Sequence, residues 1–169
     1  EDVMAYAQTD KQKANVLFMY SYRQKGRQLA TITEIYKLDP TNTLLPFLLV
    51  REVNKLEDWV LSPTYTAFAP VMREGVYAYS TGDSLVKKGV EEDVAYATVF
   101  LNWMKQIQSS LDKELHASVT TVLQLICDKP NDALNTISNA NFESEELKLW
   151  QQRIKIVLDV AANENKRLE

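Results

Sequence analysis

Two helical patterns set end to end with a proline stop between them constrain this chain more than any other feature. Between Arg27 and Trp59, one pattern closes at Leu38-Asp39-Pro40-Thr41-Asn42 and a second, strongly apolar one starts at once. Proline has no amide proton to donate and pushes the residue before it out of helical geometry, so the first helix must end by Asp39. A stop this short leaves the next helix to fold back against its neighbour. The chain therefore reads as all-helical, built from stacked antiparallel hairpins.

Composition supports that reading. Only four glycines and five prolines occur in 169 residues, too few to punctuate many short strands. With 46% hydrophobic and 25% charged residues the chain is globular, and one domain spanning residues 1–169 is the expectation. Nineteen basic residues against 23 acidic ones leave a net charge of -4, which gives phosphate backbones no global attraction, so nucleic acid is not expected as a partner. No apolar run reaches the ~20 residues that cross a bilayer. The start at Glu1-Asp2-Val3, neither an initiator methionine nor a signal peptide, reads as a mature or excised piece of a longer protein.

Local signals place the helices. Thr9-Asp10-Lys11-Gln12 is a capping box, and Val16, Leu17, Tyr20 and Tyr6 supply an apolar stripe for a helix that runs to Lys25 and ends at Gly26. Leu29, Ile32, Ile35, Tyr36 and Leu38 make the second helix. Leu45, Leu48, Leu49, Val53, Leu56 and Val60 make a third over about 43 to 61, with Pro46 tolerated in its first turn and Ser62-Pro63 at its end, a pair that can in turn start a short helix. Residues 62–89 are irregular, interrupted by Pro70 and the Ser80-Thr81-Gly82-Asp83 loop. From Val90, the residues Tyr96, Val99, Phe100, Trp103, Met104, Ile107 and Leu111 keep three-and-four spacing. A break near Ser109-Ser110, a helix through Leu115 to Ile126, a shorter one after Asp128-Lys129-Pro130, and a last one capped by Ser144 bring the count to about seven or eight.

These residues resemble those of tetratricopeptide-repeat hairpins. Gly26 before a second helix, Leu38-Asp39-Pro40-Thr41-Asn42 closing it, and Ala133 early in a helix after Lys129 carry the likeness, over residues 9 to 61 and 112 to 161. The spacing departs from the family: Gly26 and Pro40 lie too close together, and the step from Pro40 to Pro130 is not a whole number of ~34-residue periods. The resemblance implies an irregular α-solenoid, with a compact helical bundle as the alternative. It also implies a groove that takes a protein or peptide partner, and an address in the cell envelope.

Enzyme chemistry finds little footing. His116 is the one histidine, which rules out two-histidine zinc sites and di-iron sites built on paired Glu-x-x-His motifs, and no cofactor is expected. Cys127, among Val122, Leu123, Leu125 and Ile126, reads as a core thiol, too far from His116 along one helix to share a proton. Glu91-Glu92-Asp93 and Glu143-Ser144-Glu145-Glu146 fall at helix starts, where the macrodipole stabilises negative charge. No phosphate-binding glycine loop or nucleophile elbow occurs. Carboxylates converging across helices stay open as an enzyme reading, because such pairs assemble in space.

The expected function is therefore that of a non-catalytic interaction or scaffold module. Its candidate surface is the side of the third helix bearing Arg51 and Lys55, together with the aromatics Trp59, Tyr65, Phe68, Tyr77 and Tyr79 around the proline-broken middle. Those aromatics read first as core packing under a loop, and as the alternative they would build a small-molecule or oligosaccharide platform. Lys11, Lys13, Arg23, Lys25 and Arg27 make the first hairpin basic, which reads first as a solvated face and second as a surface for an acidic segment of a partner.

Overall fold

The computed structural model describes residues 3–65 and 83–168, and those residues form helices and short connections with no strand among them. Eight α-helical segments follow a 3-10 turn at Val3–Tyr6: α1 (Asp10–Arg23), α2 (Leu29–Leu38), α3 (Leu45–Leu56), α4 (Ser62–Tyr65), α5 (Asp83–Gln106), α6 (Lys113–Ile126), α7 (Pro130–Asn139) and α8 (Glu145–Leu168). A π-helical turn, Glu57–Leu61, joins α3 to α4 without a break. Contacts divide the chain into two compact units, Glu1–Glu91 and Glu92–Glu169.

In the first unit α1, α2 and α3 pack on one another. The capping box forms as the sequence requires: Thr9 Oγ1 accepts from the Gln12 amide at 3.2 Å, and Gln12 Oε1 accepts from the Thr9 amide at 3.1 Å. The helix then stops at Arg23, short of Lys25, because Gln24 already has extended backbone. Its packing face also differs from the expected stripe. Only Ala14 and Ser21, two small residues two turns apart, are buried, whereas Tyr20 and Tyr6 are exposed. Small residues let helix axes approach closely, and that contact turns the larger side chains outward.

The proline stop is a hydrogen-bonded turn. Asp39 Oδ1 accepts from the Thr41 amide at 3.2 Å, Asn42 Oδ1 accepts from the Leu44 amide at 3.0 Å, and buried Asn42 reaches Asn15 on α1 at 3.2 Å. Pro46 then sits in the first turn of α3, where its missing N–H costs nothing. Leu45, Leu48, Leu49, Val53, Leu56 and Val60 are all buried, as their spacing predicts.

The helical run reaches Leu61 and Ser62-Pro63 starts the short helix α4, continuous with it rather than set off by a turn. Pro63 lies inside α4, and its ring would meet the carbonyl four residues back, on Trp59. The π-turn lies across that point: the Ser62 amide donates to the Glu57 carbonyl, five residues earlier rather than four, and the loosened turn carries the helix through its proline.

In the second unit α6 packs on α7 and α7 on α8. Ala97, Phe100, Leu101, Met104 and Ile107 form the buried face of α5, while Val99, expected there, is 59% exposed. The 3-10 turn Gln108–Ser110 makes the expected break. At the end of α6 the Lys129 amide donates to Gln124 O at 2.9 Å and the Asp128 amide to Leu125 O at 3.0 Å, a Schellman closure with Asp128 in the left-handed region at φ 56°. Ser144 caps α8 through the Leu147 amide at 3.1 Å. Gln151 ties that helix to the end of α7 by donating to Ile137 O at 2.7 Å and Ala140 O at 3.1 Å.

Candidate functional site

Because α1 spends its packing face on Ala14 and Ser21, its aromatic residues are left at the edge and outside. Phe18 and Tyr22, one turn apart, stack with centroids 6.2 Å apart and ring planes 12° from parallel. Phe47, in the first turn of α3, meets both, at 6.2 Å from Phe18 and 5.5 Å from Tyr22. Arg51, one turn beyond Phe47, places its guanidinium 5.6 Å from the centre of the Tyr22 ring. Two adjacent rungs on each of two helices thus build one platform. Each ring pair contributes ~0.5–1.5 kcal/mol beyond area burial and the cation–π contact ~0.5–1 kcal/mol at an exposed site, so the rings hold their positions while still open to solvent. Tyr22 is 46% exposed and Phe47 50%, and Val50, Met19 and Tyr20 on the same two helices and Leu44 just before α3 are further exposed apolar side chains.

Beside this platform an open cleft of about 860 Å³ separates the 3-10 turn from α1. Val3, Met4, Val16, Leu17, Met19 and Tyr20 supply its apolar wall, and Arg23 lies at the far end of the α1 wall.

Arg51 is half-buried, with its guanidinium over the Tyr22 ring. Lys55 and Trp59 lie deeper. Lys55 is 1% exposed and Trp59 2%, so both are interior side chains and neither lines a groove beside α3. Lys55 pairs with Glu52, itself 2% exposed, three residues earlier on α3. The ammonium also donates to Gly26 O at 2.6 Å and lies 5.5 Å from the Trp59 ring centre, while Glu52 Oε1 accepts from the Gln28 amide at 2.8 Å. The pair thereby fastens the α1–α2 turn to α3 from beneath. Tyr65 ends α4, and Phe68, Tyr77 and Tyr79 lie outside the described residues.

The platform residues Phe18, Tyr22 and Phe47 were not among the candidates read from sequence. Phe18 and Tyr22 at i, i+4 and Phe47 four before Arg51 are visible in the sequence as pairs. Their convergence is a long-range contact that no spacing encodes.

In the second unit the polar groups considered for chemistry have structural partners. His116 Nε2 lies 3.2 Å from Met104 O. Burial pushes the Cys127 thiol up, against the smaller opposing effects of its contact with Thr98 Oγ1 at 3.5 Å and of Lys129 and Lys105, so the half-buried thiol stays protonated and is a weak nucleophile. Glu114 accepts from the Glu143 amide at 2.5 Å, and Glu145 pairs with Lys148 at 2.7 Å, whose pKa that hydrogen bond raises. In the first unit, burial pushes the Glu57 carboxyl up. Among the described residues no three His, Cys, Asp or Glu side chains gather as a metal site would need, and no helix is long and apolar enough to cross a membrane. A second exposed apolar strip, Leu149, Ile156, Val157 and Val160, runs along α8 away from its buried Leu158 and Ala162.

No protein-family model matches the chain, and neither a curated protein nor a solved structure matches it.

Proposed function

We propose that this chain is a non-catalytic, helical-repeat-like module that binds a protein partner through the exposed face of α1 and α3. One observation carries the reading: Phe18, Tyr22, Phe47 and Arg51 form an ordered aromatic platform at the surface, on a helix that buries only Ala14 and Ser21. Contiguous exposed apolar surface on a folded protein marks an interaction site, and aromatic and arginine side chains dominate interface energetics. The platform is also cheap to immobilise, since its rings already rest on one another. The adjacent pairs α1–α2 and α6–α7, with Ala133 fully buried in α7, favour the repeat-like reading of the scaffold.

The test uses a photo-crosslinking residue in place of Phe47, compared with one in place of exposed Asp159 on α8, in cells of the source organism. A defined protein adduct from position 47 alone is expected. The purified partner should then lose at least ~10-fold in affinity for a Tyr22→Ala/Phe47→Ala chain that keeps its helical circular dichroism. Identical adducts from both positions, or a partner indifferent to the double substitution, would refute the reading.

A further inference from the structure

We propose that the partner segment taken by this face is an acidic one, which lays apolar side chains in the cleft between the Val3–Tyr6 turn and α1 and sets its carboxylates against Arg23 and Lys25. The proposal rests on the protein-binding reading above and adds the chemistry of what is bound.

The cleft supplies the apolar half. Its α1 wall, Val16, Met19, Tyr20 and Arg23, is one stripe of that helix, with Val3 and Met4 opposite. From Asn15 to Gln24 the wall is about 14 Å long at ~1.5 Å per residue, the reach of about four extended residues. The stripe is apolar until Arg23, so a bound segment meets a cation at one end only.

Charge supplies the other half. From Lys11 to Gln28 the chain carries Lys11, Lys13, Arg23, Lys25 and Arg27 and no acidic residue, although acids outnumber bases over the whole chain. Lys13 is taken up by Asp10 at 3.2 Å. Arg23 and Lys25 are exposed and have no carboxylate partner among the described residues. The α1 dipole favours a cation at Arg23, in the last turn, but Lys25 and Arg27 lie beyond the helix and outside the reach of that effect. Their place is set by the Glu52–Lys55 pair, which holds the backbone of Gly26 and Gln28 on either side of Arg27. A turn fixed from beneath, with Arg23 at one end of an apolar cleft and exposed Lys25 two residues on, is complementary to a segment of apolar residues followed by acids. An anionic membrane would satisfy the same cations, and sedimentation with anionic vesicles separates that source of negative charge from an acidic segment.

Selection from a displayed library of random 12-residue peptides against the full chain tests this directly. Enriched peptides should be net acidic with two or more large apolar residues. Their affinity should fall about tenfold in Arg23→Gln/Lys25→Gln and about tenfold between 50 and 500 mM salt, and should be abolished by Met19→Glu, which puts a like charge in the cleft. All of these positions are exposed, and circular dichroism verifies that each variant folds. Neutral or basic peptides, insensitive to Arg23→Gln/Lys25→Gln yet lost in Tyr22→Ala/Phe47→Ala, would overturn the acidic-segment proposal and leave the protein-binding reading standing. Acidic peptides that survive Met19→Glu would overturn the seating in the cleft. Sedimentation with phosphatidylserine vesicles that is lost in Arg23→Gln/Lys25→Gln would assign the cations to a membrane instead. Failure to enrich any peptide that distinguishes the wild-type chain from Tyr22→Ala/Phe47→Ala would count against both.

Discussion

Lys55→Met should be among the most damaging single substitutions in the first unit, although methionine fills nearly the same volume. The ammonium is 1% exposed and its partner Glu52 2%, so neither charge has water to fall back on. At ~4 Å and an effective dielectric of ~20, the mutual attraction is about 4 kcal/mol. Removing the cation leaves a buried carboxylate and takes a hydrogen bond from Gly26 O. Breaking such a pair from one side costs about 3–5 kcal/mol, and Glu52→Gln, which strands the ammonium, should cost a similar amount. The double variant strands no charge, and a glutamine at 52 can still accept from the Gln28 amide, so it should sit within ~2 kcal/mol of wild type, a coupling of ~4 kcal/mol or more. Urea unfolding followed by tryptophan fluorescence reads the first unit alone if Trp103 and Trp150 are first changed to Phe, leaving Trp59 against Lys55 as reporter. A loss of 3 kcal/mol lowers the thermal midpoint by ~12 °C or more in a unit of this size. Single variants that each lose less than ~1 kcal/mol, or a double variant as unstable as the sum of the singles, would refute the picture of a buried, mutually dependent pair.

Two further outcomes follow from local features. Burial holds the Glu57 carboxyl above its ordinary 4.5, so the folded state keeps that proton longer than the unfolded state does. Its contribution to stability is therefore greatest at low pH and declines as pH rises above 4.5 toward the raised folded value, the opposite of a salt-bridged carboxylate. Glu57→Gln should remove this slope and raise stability at pH 7, measurable as a smaller change in urea midpoint between pH 4 and pH 7; an unchanged slope would mean the carboxyl is not desolvated. At the end of α6, Asp128 adopts φ 56°. Asp128→Val should cost about 1–2 kcal/mol in the left-handed region, and Asp128→Gly should cost far less, as read by thermal unfolding of the two variants side by side.

What the sequence made legible was local. The Thr9–Gln12 cap, the Asp39–Asn42 stop, the Ser144 cap and the six apolar positions from Leu45 to Val60 are set by neighbours within one or two turns, and each forms as read. The errors arise where a distant surface decides. Tyr20 looks like core by its spacing, but the close helix contacts made through Ala14 and Ser21 turn it out. Lys55 and Glu52 look like solvent-facing charges, yet Glu52 falls on the apolar stripe of Leu45, Leu48, Leu49 and Leu56, and a lysine three residues later was the available sign of a buried pair. The site was legible in part. Arg51 and the basic first hairpin were read from sequence, whereas the meeting of Phe18, Tyr22 and Phe47 depends on how α1 docks on α3.

The π-turn at Glu57–Leu61 also makes chain length a specified quantity here. A π-turn stores one residue more than an α-helix of the same rise, so this stretch behaves as an insertion absorbed without a loop. Deleting one residue within it would restore ordinary α-helical winding and leave α4 facing as it does now, because the extra residue is taken up inside the turn. It would also bring the ring of Pro63 back against a carbonyl that the wider turn now displaces. A one-residue gap in the regular turns on either side would instead re-aim everything the helix carries beyond it, by roughly 100° per residue.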